Sequence, residues 1–264
     1  MAEPTSVVVG GIKLANLLLE QAEKQGLIDR LTIAFKKKPR VLLLGATGTG
    51  KSNFLESLSV ERPEPIARAN RTVFPEAHLL TVEGTRPYRF VDTPGDTSPA
   101  MKDARIDAIR ESLGARGGIS GIINVVSYGY HEYQVTKDKV FLANGVVDPA
   151  FLTKHREIEI QQLDEWTSLL GSPITTSWLI TVVTKADLWW DQRSVVNQHY
   201  STGAYYAALR EAQSLRPKVV MHSSVFSKFY GEAPLSGFFD EKDRQELKLQ
   251  LVKALLAALL QHEV

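Results

Sequence analysis

The residues Gly45-Ala46-Thr47-Gly48-Thr49-Gly50-Lys51-Ser52 fit the pattern G-x-x-x-x-G-K-[ST] in full. Glycines at these positions let backbone N–H groups turn inward around phosphate oxygens, and a helix beginning at Lys51 adds positive potential at its N-terminus. In that pattern Lys51 reaches the β- and γ-phosphates, the Ser52 hydroxyl ligates Mg²⁺, and Asn53 follows in the first helical turn. A glycine-rich turn without a ligand would not need the Lys-Ser pair. Two further groups lie at strand ends. Asp92-Thr93-Pro94-Gly95 offers a carboxylate that reaches Mg²⁺ through water and, at Gly95, an N–H able to sense a γ-phosphate. Thr184-Lys185-Ala186-Asp187 offers a carboxylate that can accept from both the N1–H and the exocyclic amine of guanine. Adenine lacks that pair of donors, so Asp187 is the residue expected to choose the base, with the Lys185 stem along the base plane.

A competing chemistry uses the same glycines. Gly45-Ala46-Thr47-Gly48-Thr49-Gly50 also fits the glycine fingerprint of dinucleotide-binding oxidoreductases, and Tyr133-Gln134-Val135-Thr136-Lys137 fits the Tyr-x-x-x-Lys pair of short-chain dehydrogenases. That reading needs an acidic residue some 20 positions past the loop, at the end of a second strand, to hold a ribose. No such residue stands there, and the dehydrogenase remains the runner-up.

The elements that must position these residues follow from the pattern of apolar residues. Strand and helix signals alternate from Arg40 onward, which predicts a doubly wound, mainly parallel α/β sheet with helices on both faces. The expected order is a strand at Val41–Leu44, a helix from Lys51 to about Leu58, an irregular stretch at Glu61–Arg71, and a hairpin of His78–Glu83 and Tyr88–Asp92 turning at Gly84–Pro87. Then come a helix at Met101–Leu113, strands at Ile119–Ser127, Thr176–Thr184 and Lys218–His222, and helices at Leu152–Leu170, Tyr205–Leu215 and Asp240–Gln261. Residues 1–39 read as a helical extension: Leu14, Leu17 and Leu18 share one face, and Ile28, Leu31 and Phe35 another. The domain proper is expected at 40–264, enlarged at 128–171. In the closing helix Leu247, Leu251, Leu255 and Leu259 form a stripe that Leu249, Val252, Leu256 and Leu260 broaden, which suits a core helix better than a coiled-coil seam.

With 264 residues, 44% hydrophobic and 23% charged, and a formal net charge of +1, the chain can bury a sizeable core and carries no global basic excess for nucleic acid. The absence of cysteine excludes disulfides, zinc–thiolate sites and thiol catalysis. The six histidines are too scattered for a metal site. No segment reaches the roughly 18 consecutive apolar residues of a membrane span, and Met1–Gly10 does not read as a secretory leader. The expected compartment is the cytoplasm, with a peripheral membrane contact through the N-terminal region and Lys36-Lys37-Lys38 as one option. The alternative is that this region packs on the core or on another subunit.

With its phosphate loop, Asp-x-x-Gly and [NT]-K-x-D elements, the stretch from about Arg40 to the C-terminal helix resembles the translation-factor-related class of P-loop GTPases. The Asp-Thr-Pro-Gly spelling is similar to septin-type, Era-type and chloroplast-import-type members; Thr-Lys-x-Asp is also found in dynamin-like ones. The resemblance implies binding of GTP and GDP with Mg²⁺ and hydrolysis of GTP. It also implies a switch threonine ligating Mg²⁺, for which Thr72 is better placed than Thr81 or Thr85, and a loop at Ser223-Ser224 that contacts the guanine carbonyl through backbone N–H. One departure stands out: Asp96, followed by Thr97, occupies the place of the glutamine that orients the attacking water in Ras-type members. A carboxylate beside a γ-phosphate is repelled without an intervening cation or proton. Slow intrinsic hydrolysis, accelerated by a protein partner or by self-association through the switch regions, is therefore expected; a scaffold that barely hydrolyses is the alternative. Loss of the γ-phosphate would release Thr72 and Gly95 and loosen Arg68–Glu76 and Gly95–Lys102. Arg68, Arg71 and Arg116 are candidate fingers, solvated arginines being the better reading, and Trp189-Trp190 is a candidate partner surface that ordinary packing explains equally well.

Overall fold

The computed structural model describes residues 40–58, 76–80, 88–93, 103, 106–107, 119–132, 135–170, 178–212, 217–224, 229–231 and 238–260. A six-stranded sheet runs through it: β1 (Arg40–Leu44), β2 (Glu76–Leu80), β3 (Tyr88–Asp92), β4 (Gly121–Val126), β5 (Trp178–Val183) and β6 (Lys218–Met221), in the order β2-β3-β1-β4-β5-β6. Every neighbouring pair is parallel except β2 and β3, which form an antiparallel hairpin at one edge. The described helices are α1 (Lys51–Leu58), α2 (Pro149–Leu170), α3 (Ala186–Trp189), α4 (Arg193–Ser201), α5 (Ala204–Ala212) and α6 (Glu241–Leu260).

The central strands read as continuous apolar runs because both of their faces are covered. β4 and β5 are buried along their whole length. Alternate residues of β1 serve opposite faces: Leu42 and Leu44 join Ile122, Leu163, Trp166, Tyr200 and Leu209, whereas Val41 and Leu43 join Phe54, Leu55, Leu251 and Leu255. Helices α2, α4 and α5 thus line one face, and α1 and α6 the other. The wide apolar surface of the closing helix is a core surface, with Leu251 and Ala254 fully buried.

At Gly121 in β4 a Cβ would lie only 2.0 Å from the indole of Trp178, its register partner in β5. Bare backbone at that point lets the ring lie across the strand.

Most element boundaries fall within a few residues of expectation. The hairpin's first strand starts at Glu76, two residues before the expected His78; α2 starts at Pro149 rather than Leu152. Helix α4 was not anticipated. Within 128–171 the chain adds a 3-10 turn at Lys137–Lys139 and a small bridge between Phe141 and Val147 before α2. Helix α6, at 20 residues, is not apolar enough to cross a membrane, nor is any other described helix. The extension at 1–39, all of the helix expected at Met101–Leu113 but helical residues 103, 106 and 107, and Arg68, Arg71, Thr72, Thr81, Thr85, Gly95, Asp96, Thr97, Arg116 and Tyr133 lie outside the described residues.

Candidate nucleotide-binding site

The phosphate-loop sequence leaves the end of β1 and closes into α1, whose first bond runs from the Phe54 N–H to the Gly50 carbonyl at 2.8 Å. Two glycines are dictated by close approach as well as by positive φ. At Gly45 (φ +141°) a Cβ would meet the Val125 carbonyl of β4 at 2.2 Å, and at Gly48 (φ +78°) it would meet the Glu132 backbone at 2.4 Å. The loop is held from within: the Thr49 hydroxyl donates to the Ala46 carbonyl at 2.9 Å. The Lys51 ammonium folds back across the loop, donating to the carbonyls of Gly45 at 2.8 Å and Ala46 at 3.1 Å. Lys51 is buried, while Ser52 and Asn53 are half-buried beside it in the first turn of α1. The cation is thus stored against carbonyl dipoles at the place where the pattern puts phosphate oxygens.

Asp92 ends β3, paired in register with Leu43 of the strand that feeds the loop. It is buried, and the next residue fixes its position. Thr93 donates twice to the Leu43 carbonyl, from its hydroxyl at 2.9 Å and its N–H at 3.3 Å, clipping the end of β3 to β1. A carboxylate at Asp92 and a hydroxyl at Ser52 are hard oxygen donors of the kind Mg²⁺ takes, one or two from protein and the rest from water and phosphate. No cluster of three or more His, Asp or Glu suited to a metal occurs among the described residues.

Thr184 leaves β5 next to the phosphate loop. Its hydroxyl lies 2.5 Å from the Thr49 carbonyl and 3.0 Å from the Val126 carbonyl, so one side chain ties together the loop and the ends of β4 and β5. Lys185 follows in the left-handed region (φ 57°) and donates from Nζ to the Tyr130 carbonyl at 2.8 Å. Burial pushes the Lys185 ammonium down to about 8, and the nearby charges of Glu132 and Asp187 only partly offset it. Asp187, in the single turn α3, is 1% exposed and accepts a hydrogen bond from the Ser223 hydroxyl at 2.7 Å. The connection from β6 is fixed by Ala186 N–H to the His222 carbonyl at 3.1 Å and His222 N–H to the Val183 carbonyl at 2.8 Å.

The Ser223-Ser224 loop also makes bonds that the sequence did not suggest. The Ser223 side chain orients Asp187, and the Ser224 carbonyl accepts from Arg244 of α6 at 3.1 Å. Trp189 is no partner surface: it is fully buried, its indole N–H donating to the Thr184 carbonyl at 2.9 Å, and only Trp190 keeps partial exposure, edge-on to Phe239.

The structure thus brings together Gly45 to Asn53, Asp92, Thr184 to Asp187, and Ser223 with Ser224, all around the C-terminal ends of β1, β3, β4, β5 and β6. Such a crevice is where open α/β sheets bind ligands. Sequence reading missed the segment following β4. There the Glu132 N–H donates to the Gly48 carbonyl at 3.2 Å and the Tyr130 carbonyl holds Lys185. The sheet also counts against the dehydrogenase alternative: the next strand in sequence, β2, is antiparallel and lies at the edge, and the acid that ends the parallel strand beside β1, Asp92 of β3, stands about 40 positions past the loop where a ribose acid is needed at about 20.

Residues 40–163 match the model of the 50S ribosome-binding GTPase family. No curated protein matches the chain in sequence. Among solved structures, Toc33 from Arabidopsis thaliana in complex with GDP and Mg²⁺ is 17% identical with a TM-score of 0.51, over 98% of this chain and 94% of that one. A dimerization-deficient mutant of the same protein is 16% identical over the same shares, also with a TM-score of 0.51. A structure of the chloroplast translocon components atToc33 and psToc159, for whose GTPase activity dimerization is important, is 18% identical with a TM-score of 0.54, over 90% of this chain and 91% of that one. These likenesses establish the fold; the family match and the three ordered motifs establish the chemistry. Over residues 40–163 the chain carries the phosphate-loop part of a GTP-binding and GTP-hydrolysing P-loop GTPase domain.

Proposed function

We propose that this domain is a nucleotide-dependent switch, loading GTP with Mg²⁺ and hydrolysing it slowly until a protein partner or a second copy accelerates the step. The observation that carries the reading is the hydroxyl bridge from Thr184 to Thr49, which couples the base-reading motif to the phosphate loop. In this reading Lys51 moves from the Gly45 and Ala46 carbonyls onto the β- and γ-phosphates, while loop N–H groups receive charge on the phosphate oxygens. Asp187 reads the guanine N1–H and exocyclic amine, with Ser223 fixing the rotamer of its carboxylate. The Ser223-Ser224 loop would contact the guanine carbonyl through backbone N–H.

Ser52, Asp92 (through water) and Thr72 would hold Mg²⁺, which supplies charge neutralisation at the transferring phosphoryl group. Gly95 would sense the γ-phosphate by its N–H, and Asp96 would stand where the attacking water is positioned. That carboxylate is the reason for slow unaided turnover. A protein partner at the switch regions is supported by the dimerization-dependent GTPase activity of the structurally similar translocon components. A peripheral membrane contact through Lys36–Lys38 is the corresponding reading for location.

Competition binding of GDP against ADP, with Asp187→Asn alongside, tests the base assignment. Guanine preference should be lost in the variant and xanthine preference gained, because an amide donor suits the C2 carbonyl of xanthine. Equal uptake of adenine nucleotides by the parent protein would overturn it.

A further inference from the structure

The segment Ser127–Glu132 after β4 meets the phosphate loop at Gly48, and its backbone is not relaxed. Tyr128 has φ 54° and Gly129 φ 84°, and a non-glycine residue in that region persists only where its surroundings hold it. The holder is a buried carboxylate from α2. One oxygen of Glu159 accepts from Ser127 N–H at 2.9 Å, from Gly129 N–H at 3.3 Å and from His131 Nε2 at 2.9 Å. The other accepts from the Tyr200 hydroxyl at 2.5 Å, and the same hydroxyl accepts from Tyr128 N–H at 2.9 Å. Burial pushes the Glu159 carboxyl up, yet hydrogen bonding and the charge of His131, with Tyr200 and Ser127 adding to it, win and leave it lowered on balance.

What this carboxylate fixes is the part of the chain that touches the nucleotide site. Directly beyond Gly129, the Tyr130 carbonyl holds the Lys185 ammonium, and the Glu132 backbone closes on Gly48. A merely structural buried acid would be costly to keep where an apolar residue fills the same volume. Here four donors converge on it from a strained turn and from α4, and the turn's far end bears on both motifs.

We propose that Glu159, with Tyr200 and His131, is a positioning residue for nucleotide retention: it sets the Tyr128–Glu132 backbone that braces Lys185 and the phosphate loop. This rests on the guanine-nucleotide reading above. The network acts on how long nucleotide stays and not on the bond that breaks.

The test is release of a fluorescent GDP from the full chain in Mg²⁺ buffer, together with single-turnover GTP cleavage at saturation and thermal unfolding. Glu159→Gln removes the charge at constant shape, and Tyr200→Phe removes only a hydroxyl. Both should speed release about tenfold, as expected for losing a hydrogen bond to a charged group, while saturated cleavage changes less than about threefold. Release within about twofold of the parent in both variants overturns the proposal, as does parallel loss of cleavage and release control. Loss of folding in both variants makes the network a plain core feature and overturns it too. A parent protein that never takes up the fluorescent GDP instead sinks the reading on which this one rests.

Discussion

Ser223 carries a contact that the sequence did not show: two serines after a strand suggested backbone N–H groups facing a base, and the Ser223 hydroxyl in addition donates to Asp187. Ser223→Ala should weaken GDP binding by about 1–2 kcal/mol, since a carboxylate loses one of the donors that fix it; calorimetric titration of GDP gives the value, and an unchanged affinity would remove Ser223 from the site. His222, next to it, bears on acid stability. Its Nε2 meets the Ser57 hydroxyl of α1 at 3.0 Å, and that hydroxyl already donates to the Phe54 carbonyl, so Nε2 carries the ring's proton. Burial, with Lys248 and Arg244 adding positive charge, pushes His222 from 6.5 down to about 3. The folded chain therefore binds fewer protons at this ring than the unfolded chain between those values. The contribution is fully present above about pH 6.5 and drains away as pH falls toward 3. Denaturant midpoints measured from pH 7 to pH 4 should fall less steeply for His222→Gln than for the parent.

At the scale of elements, the packing of β4 on β5 depends on the missing side chain at Gly121. Gly121→Ala drives a methyl into the Trp178 indole and should cost about 2–3 kcal/mol, in the range of an overpacked core. Urea unfolding measures it, and a loss under about 0.5 kcal/mol would show that the ring moves freely aside. This contact was not legible in the sequence, because Gly121 and Trp178 stand far apart in the chain and meet only through strand register. Helix α1 was legible to the residue, since its apolar positions follow a motif with fixed geometry. Helix α4 was not: Val196 and Tyr200 are its only buried residues, one turn apart among polar neighbours, too faint a pattern to separate from a loop. The Glu159 network escaped for a related reason. Its members are 28 and 41 residues apart, and nothing local marks a glutamate on a helix as buried.

For the whole molecule, the mainly parallel direction of the strands was readable because three motifs each demanded a strand end, while their order across the sheet was not. Those demands place β1, β3 and β5 with their C-terminal ends on one side before any contact is known. What the motifs could not specify was how the enlarged 128–171 segment sits, since its position comes from long-range hydrogen bonds. If a second copy supplies what Asp96 does not, GTP turnover per chain should rise with protein concentration across the micromolar range. Phosphate release measured over that range decides it; a flat profile would assign acceleration to a different protein.

The Thr184–Thr49 bridge has one more consequence, for fragments of the ligand. On the proposed reading, it ties the base grip after β5 to the phosphate grip after β1, two strand ends separated only by β4 in one sheet. An intact nucleotide then gains a chelate advantage that its halves forgo, because the second grip closes at high effective concentration once the first has formed. Guanosine and pyrophosphate, titrated separately, should show affinities whose product falls short of that for GDP by orders of magnitude, and Thr184→Val should narrow that gap.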